Sequence, residues 1–322
     1  MNVTTTTAAF NPALALYAKG VVAATFVLIF IGGLVTTYQA GMAVPDWPLS
    51  FGSLNPEGWW GNFPVRLEHG HRLFASLVGL LVTVLFFWVW FSASRTRALR
   101  WLTLAAFLGV IFQGVLGGLR VTIETAGNPH LALRLRILHG CVAQAELCLL
   151  VAVATLLSRG WIVDAWTSVG AGFSAIKRLA WAAVLAVYGQ LIVGATMRHK
   201  GAGLAIPTFP EANEDGGWMP QVHNIFVDLN FTHTRFGAAL VTLLILALVV
   251  LVLRRARGEV RLTSPAIGLL GLVLVQVSLG VYVIWHVKPI TLTTIHVVNG
   301  AAVLALSLLL ALRAGRLAEV KP

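Results

Sequence analysis

Residues 66–76 read RLEHGHRLFAS, placing Arg66, Glu68, His69, His71 and Arg72 within seven positions of one another. The uncharged run LVGLLVTVLFFWVWF follows directly. A carboxylate set among imidazoles can accept a proton, or can steady positive charge developing on a substrate carbon. An imidazole can also bind a metal. Glu68 lies three residues before His71, so on a helix the two share a face. His69 is two residues before His71 and points elsewhere.

Nine histidines are present, and four of them recur at one kind of place: His71, His139, His233 and His296. Each stands near the start of an apolar stretch. A polar ring inside a membrane span is costly and is by default a functional hypothesis. Paired imidazoles with no thiolate or carboxylate ligand beside them suit an axial pair on haem iron, carried between facing helices of a bundle. Zinc would ask for three or four ligands at one point, so two haem sites are expected rather than one metal site. The other histidines, His69, His130, His199, His223 and His286, are read as loop, helix-end or structural residues. Haem propionates call for planar, bidentate cations. Arg72, Arg120, Arg134, Arg136 and Arg235 are the expected partners, with Arg198 a sixth arginine on the same side. Glu146, seven residues after His139, is a second carboxylate inside an apolar stretch, with its role open.

The elements that must hold these residues follow from composition. Of 322 residues, 58% are hydrophobic and only 11% charged, against about 25% in a soluble domain. A helix crosses a bilayer with roughly 20 apolar residues. Eight such stretches are expected, at 18–40, 70–92, 101–119, 137–157, 179–197, 234–253, 264–285 and 293–312. The start of the chain lacks the basic opening of a signal peptide and runs into the first full span. The net charge of +11 is a matter of topology rather than of nucleic-acid binding. Lys19, Arg95, Arg97, Arg100, Arg159, Lys177, Arg178, Arg254, Arg255, Arg257, Arg261, Arg313, Arg316 and Lys321 all fall on one side of an eight-span layout. The positive-inside rule makes that side cytoplasmic, with both termini there. The four histidines then lie toward the outer face of the cell membrane. Cys141 and Cys148, two turns apart in the fourth span, are read as packing residues.

The chain also repeats itself. GMAVPDWP at 41–48 parallels GLAIPTFP at 203–210, and IFQGVLGG at 111–118 parallels LVQVSLGV at 274–281. LHGCVAQAELCLL at 138–150 parallels IHVVNGAAVLALS at 295–307, and GHRLFASLV parallels HTRFGAALV. The expected architecture is all-α and integral to the membrane: two four-helix bundles, 1–160 and 170–322, related as parallel repeats. Glu68 has no acidic counterpart before His233. One catalytic site and one electron-transfer or structural site are therefore expected. The long outer segment 198–229, with PEANEDGGWMPQVHN, is expected to carry a short surface helix over the second site.

Eight spans, two repeats, four histidines, the Glu68-x-x-His71-Arg72 element and the loop GMAVPDWPLSFG together resemble the haem A synthase family. The resemblance covers nearly the whole chain. It implies oxidation of the C8 methyl of haem O to a formyl group through hydroxylated intermediates. It implies that His71 and His139 flank the substrate haem O, that His233 and His296 ligate a haem B cofactor, and that Glu68 is the acid–base or cation-stabilising residue. Which of His71 and His139 stays on iron is left open. So are the electron acceptor, a docked haem O-forming enzyme and a homo-oligomer. Many bacterial members carry a cysteine pair in the first outer loop; here Val44 and Ser50 stand at those places, so no thiol–disulfide step is available there. Two other readings are a two-haem b-type cytochrome that does no haem chemistry, and a transporter. Glu68 speaks against the first, and polar residues clustered toward one face speak against the second.

Overall fold

The long helices begin where a side chain takes over an amide that the helix cannot satisfy. Asn11, Asn62, Thr96 and Asn128 each accept the amide three residues on, at 3.0 Å from Leu14, 3.3 Å from Val65, 3.3 Å from Leu99 and 3.1 Å from Leu131. Such caps are worth about 1 kcal/mol each. Pro12, Pro64 and Pro129 follow within the first turn, where the missing N–H costs nothing.

The computed structural model describes residues 10–92, 96–164 and 173–319. Arg95 and Lys321, two of the basic residues used to orient the chain, lie outside them, as does the start of the chain up to residue 9. The helices are α1 Pro12–Thr37, α2 Phe63–Phe91, α3 Arg97–Thr125, α4 Pro129–Leu156, the single turn α5 Arg159–Ile162, α6 Phe173–His199, α7 Ile225–Phe231, α8 Ala238–Arg255, α9 Val260–Trp285 and α10 Ile290–Glu319. A π-helical turn at Thr232–Gly237 joins α7 to α8, so Ile225–Arg255 forms one continuous span. Eight helices are long and apolar enough to cross a membrane. Among the described residues there is no strand, only an isolated bridge between Ser50 and Ser53. The chain is an all-α membrane protein.

Packing follows two closed circuits. Helix α1 packs on α2, α2 on α3, α3 on α4, and α4 back on α1. Likewise α6 packs on α8, α8 on α9, α9 on α10, and α10 on α6. The circuits meet where α10 touches α1 and α4, and where α4 touches α6. This pairing is compatible with two four-helix repeats. Lipid supplies no hydrophobic drive between helices, so close packing and hydrogen bonds hold them together, at about 0.6 kcal/mol per bond. Tyr17 donates to the Leu81 carbonyl at 3.0 Å and Tyr188 to the Cys141 carbonyl at 3.1 Å. Arg198, on α6, donates to Gly33 O at 2.9 Å and to Thr37 Oγ1 at 2.5 Å on α1.

Most helices overrun the apolar stretches that announce them. Helix α2 starts at Phe63 rather than 70, and α4 at Pro129 rather than 137. The added turns carry the polar residues that a count of apolar residues leaves out, Glu68, His69, Arg134 and Arg136. The first span ends early, at Thr37, because Gln39 adopts a left-handed turn at φ 56°. The segment 210–224 forms turns and no helix, against the expectation of a surface helix there. Pro210, Pro220 and the left-handed Gly216 (φ 83°) interrupt any helical run. The helical pieces of that long segment are a 3-10 turn at Ala202–Leu204 and α7 itself.

Candidate functional site

The four recurrent histidines sit on the even-numbered spans, on opposite members of each packing circuit: His71 on α2 and His139 on α4, His233 in the π turn and His296 on α10. Each ring lies against a glycine of a neighbouring odd-numbered span. A Cβ placed on Gly32 would lie 3.1 Å from His71 Cε1, on Gly117 3.4 Å from His139 Cε1, on Gly194 2.5 Å from His233 Cε1, and on Gly280 3.3 Å from His296 Cε1. The absence of a side chain at these glycines is what makes room for the rings. In all four rings Nδ1 is buried and makes no hydrogen bond. Buried polar atoms are normally paired; four orphans at equivalent places mark rings built for something besides packing.

The His233 and His296 rings are 6.3 Å apart, centroid to centroid, at 77°. Two metal–nitrogen bonds of about 2 Å each, added to the ring radii, bring trans imidazoles on one iron to roughly the same separation. The donor set and its spacing fit an axial pair on haem iron. Among the described residues, no group of three or more His, Cys, Asp or Glu converges to hold a bare metal ion.

Glutamines on the odd spans steady the histidine helices. Gln113 donates to His139 O at 3.1 Å and Gln190 to His233 O at 2.7 Å. Gln276 lies 3.2 Å from His296 Nε2, and its Oε1 accepts from Asn299 at 2.8 Å. Gln113, Gln190 and Gln276 each stand four residues before the glycine that faces a ring. Leu28 takes that place on α1, and Val142 takes the place of Asn299. The second circuit therefore holds its histidines with more polar contacts than the first.

The first circuit carries the charge. Glu68 is 2% exposed and pairs with Arg72 at 2.9 Å and with Arg120 at 3.4 Å. It also accepts the Ala43 amide at 3.1 Å. Removing one partner of such a buried pair costs about 3–5 kcal/mol. Arg72 donates further to the carbonyls of Val44 at 2.9 Å, Asp46 at 2.7 Å and Leu49 at 3.1 Å. Arg120 donates to Gly41 O at 2.7 Å. The two guanidiniums thus fasten the loop between α1 and α2 over the helix ends. His69 adds a third fastening, with Nδ1 2.8 Å from Ser50 Oγ and its ring against Trp59. Trp47 packs over Gly118. Asp46 accepts the amides of Phe51 and Gly52, each at 2.8 Å. Partial burial pushes the Asp46 carboxyl up, but those amides and the Arg72 guanidinium outweigh it and hold the group below its ordinary 3.8.

Arg235 does for the second outer loop what Arg72 does for the first. It donates to Thr208 O and Glu211 O, both at 2.7 Å, and lies over the Phe209 ring. It also reaches Asn230 Oδ1 at 3.4 Å. Of the remaining arginines, Arg134 is exposed, and Arg136 lies 3.7 Å from Glu124 with a buried, unpaired Nε.

In the sequence Asn230 has no role beyond standing where an acidic counterpart of Glu68 is lacking, and the π turn does not show. Asn230 precedes His233 by three residues, as Glu68 precedes His71. It is fully buried and donates to Ala202 O at 3.0 Å. Between His233 and Arg235 there is one more residue, Thr234, than between His71 and Arg72. A π turn absorbs one extra residue, so both arginines reach their loops despite the insertion. The spacing of His to Arg in the two parallel motifs was the signal for it.

Comparison with known proteins agrees with this layout. The profile of the family described as cytochrome oxidase assembly protein, COX15-CtaA, matches residues 62–308. A protein of Halalkalibacterium halodurans named haem A synthase is 30% identical over 224 residues, 69% of this chain and 71% of its own. Haem A synthase of Alkalihalophilus pseudofirmus is 27% identical over 84% of this chain and 86% of its own. That of Beijerinckia indica is 27% identical over 90% of each. With the family profile covering residues 62–308, all four histidines among them, the chain belongs to the haem A synthase family of cytochrome oxidase assembly proteins.

Proposed function

We propose that this protein is a haem A synthase that oxidises the C8 methyl of haem O to a formyl group through hydroxylated intermediates. The observation that carries the reading is the asymmetry between the circuits. Both hold opposed histidines against glycines, but only the first sets a buried carboxylate and two arginines beside them. An electron carrier has no use for that carboxylate.

In this reading the four-helix half within 1–160 receives haem O between His71 and His139. The half within 170–322 would hold haem B between His233 and His296, whose rings stand 6.3 Å apart. Haem B supplies one-electron transfer when bound. Gln190, Gln276 and Asn299 fix the helices and rings of that pair, as suits a resident cofactor. Leu28 and Val142 leave the first pair less constrained, as suits a substrate that enters and leaves. Glu68, three residues from His71, takes up protons from the reacting methyl or steadies positive charge there. Arg72 and Arg120 keep it oriented, and through their loop carbonyls they make its position depend on the first outer loop.

Among the expected propionate partners Arg136 and Arg235 each keep a buried Nε with no partner and Arg134 is exposed, while Arg72 and Arg120 are more fully engaged by protein oxygens. The haem sites face the outer side of the cell membrane, with both termini cytoplasmic. Electrons leave to an external acceptor, and haem O arrives through the lipid or from the enzyme that forms it.

The test is haem extraction and chromatography from membranes that hold this protein and a haem O supply. Haem A in the extract is the expected result. Haem B alone, with haem O unconsumed, would reduce the protein to a b-type cytochrome and overturn the assignment.

A further inference from the structure

The Glu68 cluster does not use the carboxylate buried deeper in the first circuit, Glu146 on α4. Glu146 is 6% exposed, and neither of its oxygens has a hydrogen-bond partner. It lies in the α3–α4 seam, its carboxyl directly over Gly109, where a Cβ would have no room. One turn along α3, about 6 Å away, stands Gln113, whose Oε1 is also buried and unpaired and whose Nε2 donates to His139 O at 3.1 Å. One further turn brings Gly117 against the His139 ring. Gly109, Gln113 and Gly117 thus form one stripe on α3, facing Glu146 and His139 on α4.

The second circuit has no such stripe. Reading the parallel segments together, Val303 stands for Glu146, Ala301 for Gln144 and Leu272 for Gly109. Val303 and Ala301 are buried apolar residues. A buried carboxyl without partners is expensive in hydrocarbon. It is carried here at the one circuit read as catalytic, together with the glycine that makes space for it.

We infer that Glu146 is a proton-relay residue for the first-half site, passing protons between that site and water in the α3–α4 seam, past Gln113. The inference rests on the haem A synthase reading. With water as the oxygen source, methyl and water give formyl, releasing protons and electrons in equal number. The electrons would leave by way of the haem B that His233 and His296 would hold, to an external one-electron acceptor. Glu68 lies at the outer end of the site, and Glu146 offers the protons a second, inward route. In each passage one carboxyl oxygen of Glu146 gains a proton as the other gives one up, so an O–H bond forms and another breaks with no electron moved. A water between Gln113 and Glu146 would give their orphaned oxygens a partner and carry the proton across that turn.

The test uses the full-length protein with Glu146→Gln, Glu146→Asp and Glu146→Leu. Glu146→Gln is expected to keep the haem B spectrum unchanged while haem O conversion falls at least about ten-fold, with Glu146→Asp recovering part of the loss. A second readout is independent of turnover: the redox infrared difference spectrum of the purified protein should contain a carboxyl C=O band that Glu146→Gln removes. Conversion by Glu146→Gln and Glu146→Leu within two-fold of the unaltered protein, or a spectrum without that band, would overturn the relay. Loss of haem B together with activity in Glu146→Gln would overturn it as well, in favour of a packing role. If the unaltered protein makes no haem A, the functional reading itself has failed; if it does and Glu146→Gln matches it, only the relay has.

Discussion

Glu68 and Asn230 hold the same station in the two packing circuits: each is buried three residues before a recurrent histidine, and each accepts from the arginine that fastens the neighbouring outer loop. A carboxylate in one circuit becomes a carboxamide of similar shape in the other. The second cation changes with it, since Val283 stands in the parallel segment where Arg120 stands on α3. The carboxylate and its second guanidinium are thus present together in the first circuit and absent together from the second, as the cost of an unpaired buried ion requires. The opposed histidines against glycines are common to both circuits, and the buried carboxylate is confined to one.

Glu68→Gln makes the first circuit resemble the second without removing a hydrogen-bond acceptor. Haem O conversion is expected to fall by about 10²–10⁴-fold, the usual contribution of a positioned acid–base group. Haem B content and its absorption spectrum should stay as in the unaltered protein. Quantifying haems A, O and B from the same membranes checks both halves of this statement; full conversion by the variant would remove Glu68 from the mechanism.

The converse change, Asn230→Asp, should harm the second circuit. Aspartate cannot donate to Ala202 O, and its charge has Arg235 at the edge of reach with no second guanidinium beside it. An unsatisfied buried group costs about 1–3 kcal/mol. Haem B retention through purification and the midpoint of thermal unfolding are expected to drop together, while Asn230→Ser, which keeps the site neutral, should lose less.

The sequence made some of this legible and hid the rest for identifiable reasons. Apolar runs announced all eight spans, because hydrocarbon tolerates little else, and the four histidines stood out against that background. The helix ends differ by several residues wherever a helix continues past its apolar run, as over 63–69 of α2. Asn230 was passed over because an amide attracts no notice by type; only its place relative to His233 and Arg235 gives it meaning. The π turn was written in the extra residue Thr234, visible as a spacing difference but with no amino-acid signature. The fastening of Arg72 and Arg235 to loop carbonyls was hidden as well, since main-chain acceptors have no residue type.

The glycines against the rings give a graded prediction. A Cβ at Gly194 would stand 2.5 Å from His233 Cε1, closer than real atoms approach, whereas at Gly280 it would stand 3.3 Å from His296. Gly194→Ala should therefore displace its ring and release haem B, at a cost of about 1–3 kcal/mol for overpacking, and Gly280→Ala should do so less. In the first circuit Gly32→Ala at 3.1 Å and Gly117→Ala at 3.4 Å are expected to lower haem O conversion with haem B intact. Haem B occupancy per protein and conversion rate, measured for all four variants, separate the circuits; haem B loss from Gly32→Ala as severe as that from Gly194→Ala would contradict the assignment.

Acid should loosen the first outer loop before it touches the helices. The Asp46 carboxyl, held below its ordinary 3.8 by the Gly52 and Phe51 amides and Arg72 despite its partial burial, binds fewer protons folded than unfolded. A lowered folded value means that its stabilisation is fully present above the ordinary value and is lost as pH falls through the folded one. Above about pH 5 the loop should therefore be insensitive to pH on this account. Below about pH 4 the turn at Asp46, Phe51 and Gly52 should open, and the Arg72 anchorage over Glu68 should loosen with it. Hydrogen exchange at the Phe51 and Gly52 amides, followed from pH 6 downward, should show protection failing in that acid range. Asp46→Asn should show weaker protection at neutral pH and no such acid transition; a transition that persists in Asp46→Asn would assign it to another group.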